Sequence, residues 1–392
     1  MLNAKKILLG ITGGIAAYKA VNLASTLIKK GAQVKVIMTE NACRFINPLT
    51  FRAITNNEVH TNMFAENASI EHISLADWCD IFVIAPATAN VIGKIAGGIA
   101  DDLLTTAIMA TTSPKLLVPA MNVHMYENKI VQTNIAKLKQ NNYLLMEPET
   151  GKLACGYEGK GRFPQVKEIV YYLQTYLTRK PDLQSSRILI SAGACRETID
   201  PMRYLTNQSS GKMGLSLARA AYIRGAVVKL IAADTSEPIP YYLNNEKVIT
   251  AAEMYKQIIS IYQSYDIIIM TAAVSDFKPM KTADNKIKKA DSLQLELTKT
   301  KDILLELGKK KLKEQKLIGF AAESENIEEN ASKKLHKKNL DMIVANNLKV
   351  AGSDTTEVTI ISNKSSSNFI GSKFEAAHVI LDKIKQLKKN VT

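Results

Sequence analysis

The sequence is poor in cysteine and lacks a long apolar run. Its 392 residues include only four cysteines, none of them in a CxxC pair: Cys43, Cys79, Cys155 and Cys195. This number and spacing exclude a disulfide framework and a zinc ribbon, and they favour a reducing, cytoplasmic compartment. No apolar stretch approaches the roughly 20 residues that a membrane span needs. The glycine-containing run after Lys6 is interpreted as a strand and its turn, not as a signal peptide.

Acidic residues are outnumbered, since 51 Lys and Arg face 37 Asp and Glu and give a net charge of +14. Within residues 278–316 the bias reaches 12 basic against 6 acidic residues, and all 12 are lysine. Duplex-binding surfaces typically include arginine, and single-strand binders interleave aromatics, whereas only Phe277 borders this segment. Nucleic acid is therefore not favoured as a partner. Two interpretations stay open, lysines around a phosphate-rich small ligand or a solvated surface.

The length exceeds what one hydrophobic core usually serves, so two domains are expected. A βαβ pattern opens the chain, with the predicted elements strand Lys6–Leu9, glycine turn Thr12–Ile15, helix Ala16–Lys30 and strand Gln33–Thr39. The same pattern restarts at RILISAGACRE, after the polar linker 179–186. We predict two tandem α/β domains, 1–181 and 182–392, each doubly wound and mostly parallel (Rossmann-like), the first of them flavodoxin-like. Residues 362–369 are interpreted as a hairpin turn, with a disordered loop as the alternative.

The glycine turns are not dinucleotide fingerprints. The turn with Gly13 and Gly14 lacks GxGxxG spacing, the second strand ends at Thr39 instead of an acid, and the chain has no Walker A lysine. Ligands of doubly wound sheets bind beyond the carboxyl ends of the strands, and a short glycine turn before a helix suits a phosphate monoester. Hydroxyls of Thr12, Thr39 and Thr88 would add contacts there. A mononucleotide such as FMN therefore fits better than NAD.

Short strings in both halves resemble one family, the bacterial bifunctional phosphopantothenoylcysteine decarboxylase / phosphopantothenate–cysteine ligase of coenzyme A biosynthesis. The resemblance spans Lys5 to about Asp382. The strings in the first half are GITGGIAAYK (10–19), EHISLADWCD (71–80), PATAN (86–90), GIADDLLT (98–105), PAMN (119–122) and ACGYEGKGR (154–162). Those in the second half are DPMRYLTNQSSGKMG (200–214), TAAVSDFKP (271–279), KIKK (286–289), GFAAE (319–323) and LDMIVAN (340–346).

For the first half the resemblance implies an FMN-dependent decarboxylase. The cysteine end of 4′-phosphopantothenoylcysteine is oxidised, carbon dioxide leaves, and the resulting enethiol is reduced to 4′-phosphopantetheine. Gly13, Gly14, Thr39 and Thr88 are expected at FMN. His72 matches the active-site histidine, Asn122 the residue that binds the substrate carboxylate, and Cys155 the proton donor in a loop that closes as a lid. Arg162 would hold a phosphate or carboxylate. Without the motifs, His72, Asn122 and Cys155 would each be interpreted as structural.

For the second half the resemblance implies a ligase that uses CTP and Mg²⁺ and forms an acyl-cytidylate, from which cysteine displaces CMP. Asn207 would stabilise this intermediate, Arg203 would bind substrate, and Lys286 would act in the chemical step. The expected contacts to CTP are Asp276, Lys286, Lys301, Asp302, Ile303, Phe320, Lys334 and Lys338. No metal ligand is identified. Taken alone, KIKK is typical of a solvated strand edge with Lys286 and Lys288 on one face, and Lys334 and Lys338 of one exposed helix face.

Two segments depart from the family pattern, Ala194-Cys195 before Arg196, and Lys301 where the family carries a proline. An NAD(P)-dependent oxidoreductase with Asp234 as its ribose acid is the main alternative function. A flavoprotein decarboxylase acting on a peptide C-terminal cysteine is another, but it leaves residues 187–392 unexplained. The resemblance further implies a homo-oligomer, with dimeric ligase domains and a larger assembly of the flavin domains whose active site lies between subunits.

Overall fold

The chain forms two compact units, Met1–Lys180 and Pro181–Thr392. A computed structural model describes residues 2–64, 71–154, 156–179, 181–289, 292–323, 327–347 and 353–389. Cys155, the expected proton donor, lies outside these residues. Among the helices within the described ranges, none combines the length and apolar character needed to cross a membrane.

The first unit alternates strands and helices along the chain. Its strands are β1 Lys6–Ile11, β2 Gln33–Met38, β3 Val59–His60, β4 Ile81–Ala87, β5 Lys115–Pro119, β6 Leu144–Leu145, β7 Glu149–Lys152 and β8 Glu158–Arg162. Its helices are α1 Ala17–Lys29, α2 Glu40–Cys43, α3 Pro48–Thr55, α4 Glu71–Trp78, α5 Ala89–Gly97, α6 Leu103–Ala110, α7 Val123–Glu127, α8 Lys129–Gln140 and α9 Val166–Thr178.

The main sheet of this unit is parallel, in the order β3-β2-β1-β4-β5-β6. A doubly wound parallel sheet was predicted, and this is confirmed; the strand order is that of dinucleotide-binding sheets rather than of flavodoxin, in which β1 lies between β2 and β3. The order reverses between β1 and β4, so the loops after these two strands border the crevice where such sheets bind ligands. β1 is buried on both faces beyond Lys6, as expected of a central parallel strand.

The second unit has its own sheet and helices. Its strands are β9 Arg187–Ala192, β10 Arg196–Asp200, β11 Arg203–Thr206, β12 Val227–Ala232, β13 Asn244–Lys247, β14 Ile267–Met270, β15 Phe277–Pro279, β16 Leu297–Lys299, β17 Lys316–Glu323, β18 Met342–Asn347, β19 Thr355–Ser362 and β20 Ser366–Ser372. Its helices are α10 Lys212–Ile223, α11 Ala251–Ile261, α12 Ile303–Lys310, α13 Ile327–Lys337 and α14 Lys373–Lys389.

The large sheet of the second unit has the order β13-β12-β9-β14-β17-β18-β19-β20. Pairing is parallel up to β18, whereas β19 and β20 are antiparallel. The C-terminal hairpin predicted from the sequence is therefore present, with its turn at residues 363–365, and the alternative of a disordered loop is wrong. Seven register pairs between β19 and β20, from Thr355 opposite Ser372 to Ile361 opposite Ser366, hold this segment in order.

A buried arginine joins the two ends of the second unit. Arg224 is 1% exposed and bonds Asp182 through Nε at 2.8 Å and Asp382 through Nη2 at 2.8 Å. Lys385 of α14 adds a contact of 2.7 Å to Asp182. Burial pushes the pKa of Asp182 upward, but the hydrogen bonds and charges of Arg224 and Lys385 outweigh burial and lower the pKa to about 2.

Replacing Arg224 with methionine is expected to destabilise the second unit by about 3 kcal/mol, because two partly buried carboxylates lose their shared cation. Scanning calorimetry at pH 7 should show the transition of this unit lowered by roughly 10 °C. Because the Asp182 pKa is depressed, its contribution is complete above pH 4 and disappears as the pH falls toward 2, so the difference from wild type should shrink there. An equal difference at pH 7 and pH 2.5, or an equal effect of the exposed control Lys256→Met, would contradict this assignment.

Candidate active sites

Three expected site residues of the first unit begin helices at the carboxyl edge of its sheet. The side-chain oxygens of Thr39, Thr88 and Asn122 accept hydrogen bonds from the first-turn amides of α2, α5 and α7, at 3.2, 3.4 and 2.8 Å. A threonine hydroxyl that accepts such a bond still has its O–H to donate to a ligand oxygen. Capping and ligand binding are therefore compatible at Thr39 and Thr88.

Thr12 has a different position from the one expected. Its side chain is fully buried, donates to Pro86 O at 2.7 Å and accepts from Thr88 N at 3.1 Å. Both bonds join the loop after β1 to the carboxyl end of β4. These are the two strands between which the strand order reverses. Thr12 thus fixes the walls of the crevice, and the prediction that its hydroxyl contacts the nucleotide is wrong because burial leaves it no access.

The start of α1 fits a phosphate. Gly13 is required there because a Cβ at this position would lie 2.4 Å from Asn41 Cβ. The N-cap residue of α1, Ala16, supplies no side-chain hydrogen bond, and the first turn contains no acidic residue. Burial first, and the charge of Arg162 second, lower the pKa of Lys19 in this turn. The amides of Ala17, Tyr18 and Lys19 donate to carbonyls of the preceding turn, so the helix dipole and the two neighbouring cations are what favour a phosphate group here.

The β7–β8 ribbon lies against the loop that carries Asn122. Met121 N donates to Gly161 O at 3.0 Å, and a Cβ on Gly159 would lie 2.5 Å from Val123 Cγ2. The rings of His124 and Tyr157 meet edge to face at 5.1 Å. The β8 side of this ribbon, which begins three residues after position 155 in the sequence, thus lies beside the start of α7.

His72 stands elsewhere on the same edge. It is half-buried in the first turn of α4, which follows the edge strand β3. Asn122 follows β5, and β2, β1 and β4 lie between β3 and β5 in the sheet. Strand order therefore places the elements that carry His72 and Asn122 on opposite sides of the crevice of one copy.

In the second unit, the loop 271–276 after β14 is held from both sides. Asn207 Nδ2 donates to Val274 O at 3.2 Å. Thr300 donates from Oγ1 to Ser275 O at 2.6 Å and from N to Asp276 O at 2.9 Å. The structure therefore gathers the TNQSSGKMG segment, the exposed Asp276 and the segment around Lys301 at one end of β14.

The KIKK segment is not a strand edge as predicted. Residues 286–289 have no strand conformation, so the alternation of Lys286 and Lys288 on one face does not apply. Its backbone is held instead by the β10–β11 hairpin: Ile287 N donates to Asp200 Oδ2 at 3.1 Å, and Arg203 Nη2 donates to Ile287 O at 2.8 Å. This anchoring leaves Lys286 exposed and near Arg203, the residue expected to bind substrate.

Asp200 is the residue on which this anchoring depends, although no motif or spacing in the sequence predicts a role for it. Its side chain is fully buried and also accepts from the amides of Met202 and Arg203 at 2.8 and 2.9 Å. Burial raises the pKa of Asp200, but these amides, that of Ile287 and the Arg203 charge together lower it below its usual value. An Asp before Pro in a turn was the one available signal, since such carboxylates commonly accept from amides two and three residues ahead.

Replacing Asp200 with asparagine is expected to reduce the ligation rate about tenfold. Backbone amides now donate to both carboxylate oxygens, and the NH2 group of asparagine cannot accept any of these hydrogen bonds. Ile287 would lose its fixed position, and Lys286 with it. Steady-state ligation by the full chain measures the effect, with the exposed Asp284→Asn in the same segment as control. Equal rates for the two variants would show that the anchor does not position Lys286.

The expected nucleotide contacts on α12 and α13 are partly paired with one another. Lys338 directly follows α13, and its amide still donates to Lys334 O at 3.0 Å, so the two lysines are one helical turn apart as predicted. Lys338 Nζ contacts Asp302 Oδ2 at 2.8 Å, and Asp302 caps α12 by accepting from Leu305 N at 3.0 Å. Burial raises the Asp302 pKa, but the bond and charge of Lys338 and the amides of Leu305 and Leu304 together lower it below its usual value.

The other residues expected to contact CTP differ in how much of the side chain is exposed. Lys301 Nζ lies 4.6 Å from the centre of the Tyr255 ring, a cation–π contact. Ile303 is 3% exposed and belongs to the core, so only its backbone is available to a nucleotide. Phe320 is half-buried on β17 opposite Val344, and Lys334 is exposed on α13.

The segment that departs from the family pattern at Ala194-Cys195 is structural. Cys195 is fully buried, and burial, followed by the charges of Glu197 and Glu253, raises its pKa to about 12. The neighbouring Asp234 is paired with Arg196, whose guanidinium also lies 4.5 Å from the Tyr204 ring. Because its carboxylate is committed to Arg196, Asp234 does not support the role of a ribose acid in an NAD(P)-dependent oxidoreductase.

Metal ligands are not preassembled in the part of the chain that the structure covers. Within it, no three side chains of His, Cys, Asp or Glu are grouped as a metal site requires.

Comparison with known families agrees with this two-unit arrangement. Residues 1–178 match the family model described as Flavoprotein, and residues 183–387 match the DNA/pantothenate metabolism flavoprotein C-terminal domain. The protein is thus of the class in which a flavoprotein domain precedes a pantothenate-metabolism domain.

Curated relatives identify the family. The chain is 49% identical to the coenzyme A biosynthesis bifunctional protein CoaBC of Bacillus subtilis, over 99% of this chain and 98% of that protein. It is 46% identical to CoaBC of Borreliella burgdorferi, with 92% and 94% covered, and 40% identical to CoaBC of Escherichia coli, with 88% and 87% covered. The chain belongs to the CoaBC family of bifunctional coenzyme A biosynthesis proteins. The resemblance stated from the motifs is confirmed, as are the decarboxylase and ligase activities, and an oxidoreductase is not favoured.

Proposed function

We propose that the second unit joins 4′-phosphopantothenate to cysteine with CTP, and that the first unit decarboxylates the product to 4′-phosphopantetheine with FMN. The main support for this proposal is the position of the residues expected to act in each reaction, one set in each unit. Most of the assigned residues follow the carboxyl ends of strands, β1, β2, β4 and β5 in the first unit and β9 and β14 in the second, whereas Lys334 and Lys338 precede β18. Two separate crevices suit two reactions in which the product of one is the substrate of the other.

In the first unit, the residues at the β1–β4 crevice suit FMN. The start of α1, with Lys19 and Arg162 nearby, offers the positive end of the helix dipole and positive charge to a phosphate group. Thr39 and Thr88 present hydroxyls along the same edge. When bound, FMN supplies the electron acceptor that allows the substrate carboxylate to leave as carbon dioxide.

The chain's own residues then orient the substrate and supply the proton. We assign Asn122 to the substrate carboxylate, His72 to the thiol or carboxylate end, and Cys155 to proton donation. The position of β8 beside α7 supports a shared role for Asn122 and Cys155, because Tyr157, two residues after position 155, contacts His124 next to the Asn122 loop.

In the second unit, cations surround the place where phosphate charge would develop. We assign Lys286 to the α-phosphate, Arg203 to 4′-phosphopantothenate, Asn207 to the acyl-cytidylate, and Asp276, Lys301, Asp302, the Ile303 backbone, Phe320, Lys334 and Lys338 to CTP. Attack of the substrate carboxylate on the α-phosphate releases pyrophosphate, and the cysteine amine then displaces CMP. Both steps place negative charge on phosphate oxygens, which fixed cations stabilise. Mg²⁺ would enter bound to the triphosphate.

We also propose that the protein is a homo-oligomer that works in the cytoplasm. His72 and Asn122 follow strands separated by three others, which suits an active site completed between two copies. The ribbons β10–β11 and β15–β16 expose large apolar side chains of the kind found at self-association surfaces: Met202, Tyr204, Phe277, Met280 and Leu297. The free thiols of Cys43, Cys79 and Cys195 suit a reducing compartment.

One assay tests the proposed function. The purified chain, with its flavin identified by visible spectrum and mass, is supplied with 4′-phosphopantothenate, cysteine, CTP and Mg²⁺. Formation of CMP, carbon dioxide and 4′-phosphopantetheine is expected, and ATP in place of CTP serves as the comparison. A colourless protein, or CMP release that does not depend on cysteine, would contradict the proposal.

A further inference from the structure

A second histidine lies beside His72 in the structure. His60, the last residue of β3, bonds through Nδ1 to Oε1 of Glu71, the first residue of α4. The two side chains are only 15% and 18% exposed. The pair therefore joins the edge strand of the sheet to the residue immediately before His72, and it is shielded enough to hold one geometry.

The far end of α4 is fixed independently. Thr111 Oγ1 donates to Ala76 O at 2.8 Å, and Ser113 Oγ donates to Cys79 O at 2.5 Å. Leu75 and Ala76 are buried in the core. Because α4 has only two turns, these contacts leave only its first turn to be held in place. The amides of that turn have no hydrogen-bond partner within the helix.

Glu71 suits that task in two ways. A carboxylate in the first turn interacts favourably with the helix dipole, and its bond to His60 gives the turn a fixed direction relative to the sheet. β3 is itself held in register, with His60 opposite Ile37 of β2. The His60–Glu71 pair therefore fixes the position of His72 relative to the main sheet.

We infer that His60 and Glu71 are positioning residues for His72 in the decarboxylase. The inference rests on the proposed function, because it assumes that His72 acts on the substrate. Loss of the pair would let the first turn of α4 fray and would move the imidazole of His72, and displacements of about 1 Å at a reacting group cost up to about a hundredfold in rate. The FMN contacts and the substrate carboxylate contact lie on other elements and should be unaffected.

The test uses the full chain with bound FMN and 4′-phosphopantothenoylcysteine as substrate. His60→Phe keeps the size of the ring and removes the bond, and Glu71→Gln removes the charge from the other side, should the first variant fold poorly. Each is expected to lower kcat at least about tenfold while KM and FMN content stay within about twofold. The exposed Glu58→Gln, two residues before His60, is the matched control and should retain the wild-type kcat.

Two further variants separate positioning from simple loss of structure. Exchanging the partners, His60→Glu with Glu71→His, rebuilds the pair and should restore kcat to within about threefold of wild type. In a His72→Asn background, His60→Phe should lower the remaining activity less than twofold, because the pair acts through His72. A tenfold further loss in that background, an unchanged kcat for His60→Phe and Glu71→Gln, or failure of the exchange would overturn the inference.

The same series distinguishes this inference from the proposed function. A normal kcat for His72→Asn would remove His72 from the mechanism, and the positioning role with it. An inactive His72→Asn combined with normal His60 and Glu71 variants would overturn only the positioning role.

Discussion

Lys286→Gln is expected to slow ligation at least about a hundredfold while decarboxylation of supplied 4′-phosphopantothenoylcysteine stays at the wild-type rate. Glutamine has similar length but no charge, so the α-phosphate would lose a cation that stabilises its developing negative charge, an effect of this size when one such group is removed. The separation of the two activities follows from the fold, since Lys286 belongs to the second unit and the decarboxylase residues to the first.

The control for this variant is Lys281→Gln, an exposed lysine five residues earlier in the same segment. Pre-steady-state measurement of pyrophosphate release reports the first half-reaction directly. A Lys286→Gln protein that releases pyrophosphate at the wild-type rate would show that the KIKK segment, although anchored by Asp200 and Arg203, does not reach the reacting phosphate.

Cys155→Ser is expected to separate carbon dioxide release from formation of the reduced product. The hydroxyl of serine is a far weaker acid than a thiol, so the protonation that completes reduction of the enethiol should fail while the earlier loss of carbon dioxide continues. Accumulation of the oxidised enethiol with no 4′-phosphopantetheine is the expected result, followed by mass spectrometry and by carbon dioxide release.

Cys43→Ser, a half-buried thiol after β2, is the matched control for the loss of one sulfur atom. Both variants should retain flavin, because neither thiol is among the groups assigned to the cofactor. A Cys155→Ser protein that makes 4′-phosphopantetheine at the normal rate would transfer the proton-donor role to another residue of the crevice.

The parts of the fold predicted from the sequence are those set by local periodicity. The strand predicted at Lys6–Leu9 continues to Ile11, and the strand predicted at Gln33–Thr39 ends at Met38. The extension of the first strand depends on pairing with its neighbour, with Ile11 opposite Met38, which periodicity alone does not report. The hairpin after Ser362 was recognisable for the same reason, because two apolar alternations flank a polar turn.

The misinterpreted positions depend on partners that are distant in the sequence. KIKK has the pattern of a strand edge, yet its backbone bonds go to side chains 84 and 87 residues away. Lys338 has the spacing of an exposed helix face, but its side chain is half-buried and paired with Asp302, the N-cap of a different helix. In the sequence Thr12 resembles an exposed ligand-binding hydroxyl, but in the fold it is buried and hydrogen-bonded to Pro86 and Thr88. In each case a single contact between remote segments decides the role, and no local pattern encodes such a contact.

The Arg224 cluster determines where the second unit can be cut from the first. Asp182 lies two residues after the boundary at Lys180, whereas Asp382 and Lys385 belong to the last helix, so one guanidinium fastens both ends of the unit. A ligase fragment that starts after Asp182 or stops before Asp382 would contain a buried cation with too few counter-charges. Limited proteolysis should therefore release a stable second unit only when cleavage falls before Asp182. Circular permutants whose new ends lie at this junction should tolerate extra linker residues there, but not the deletion of Asp182.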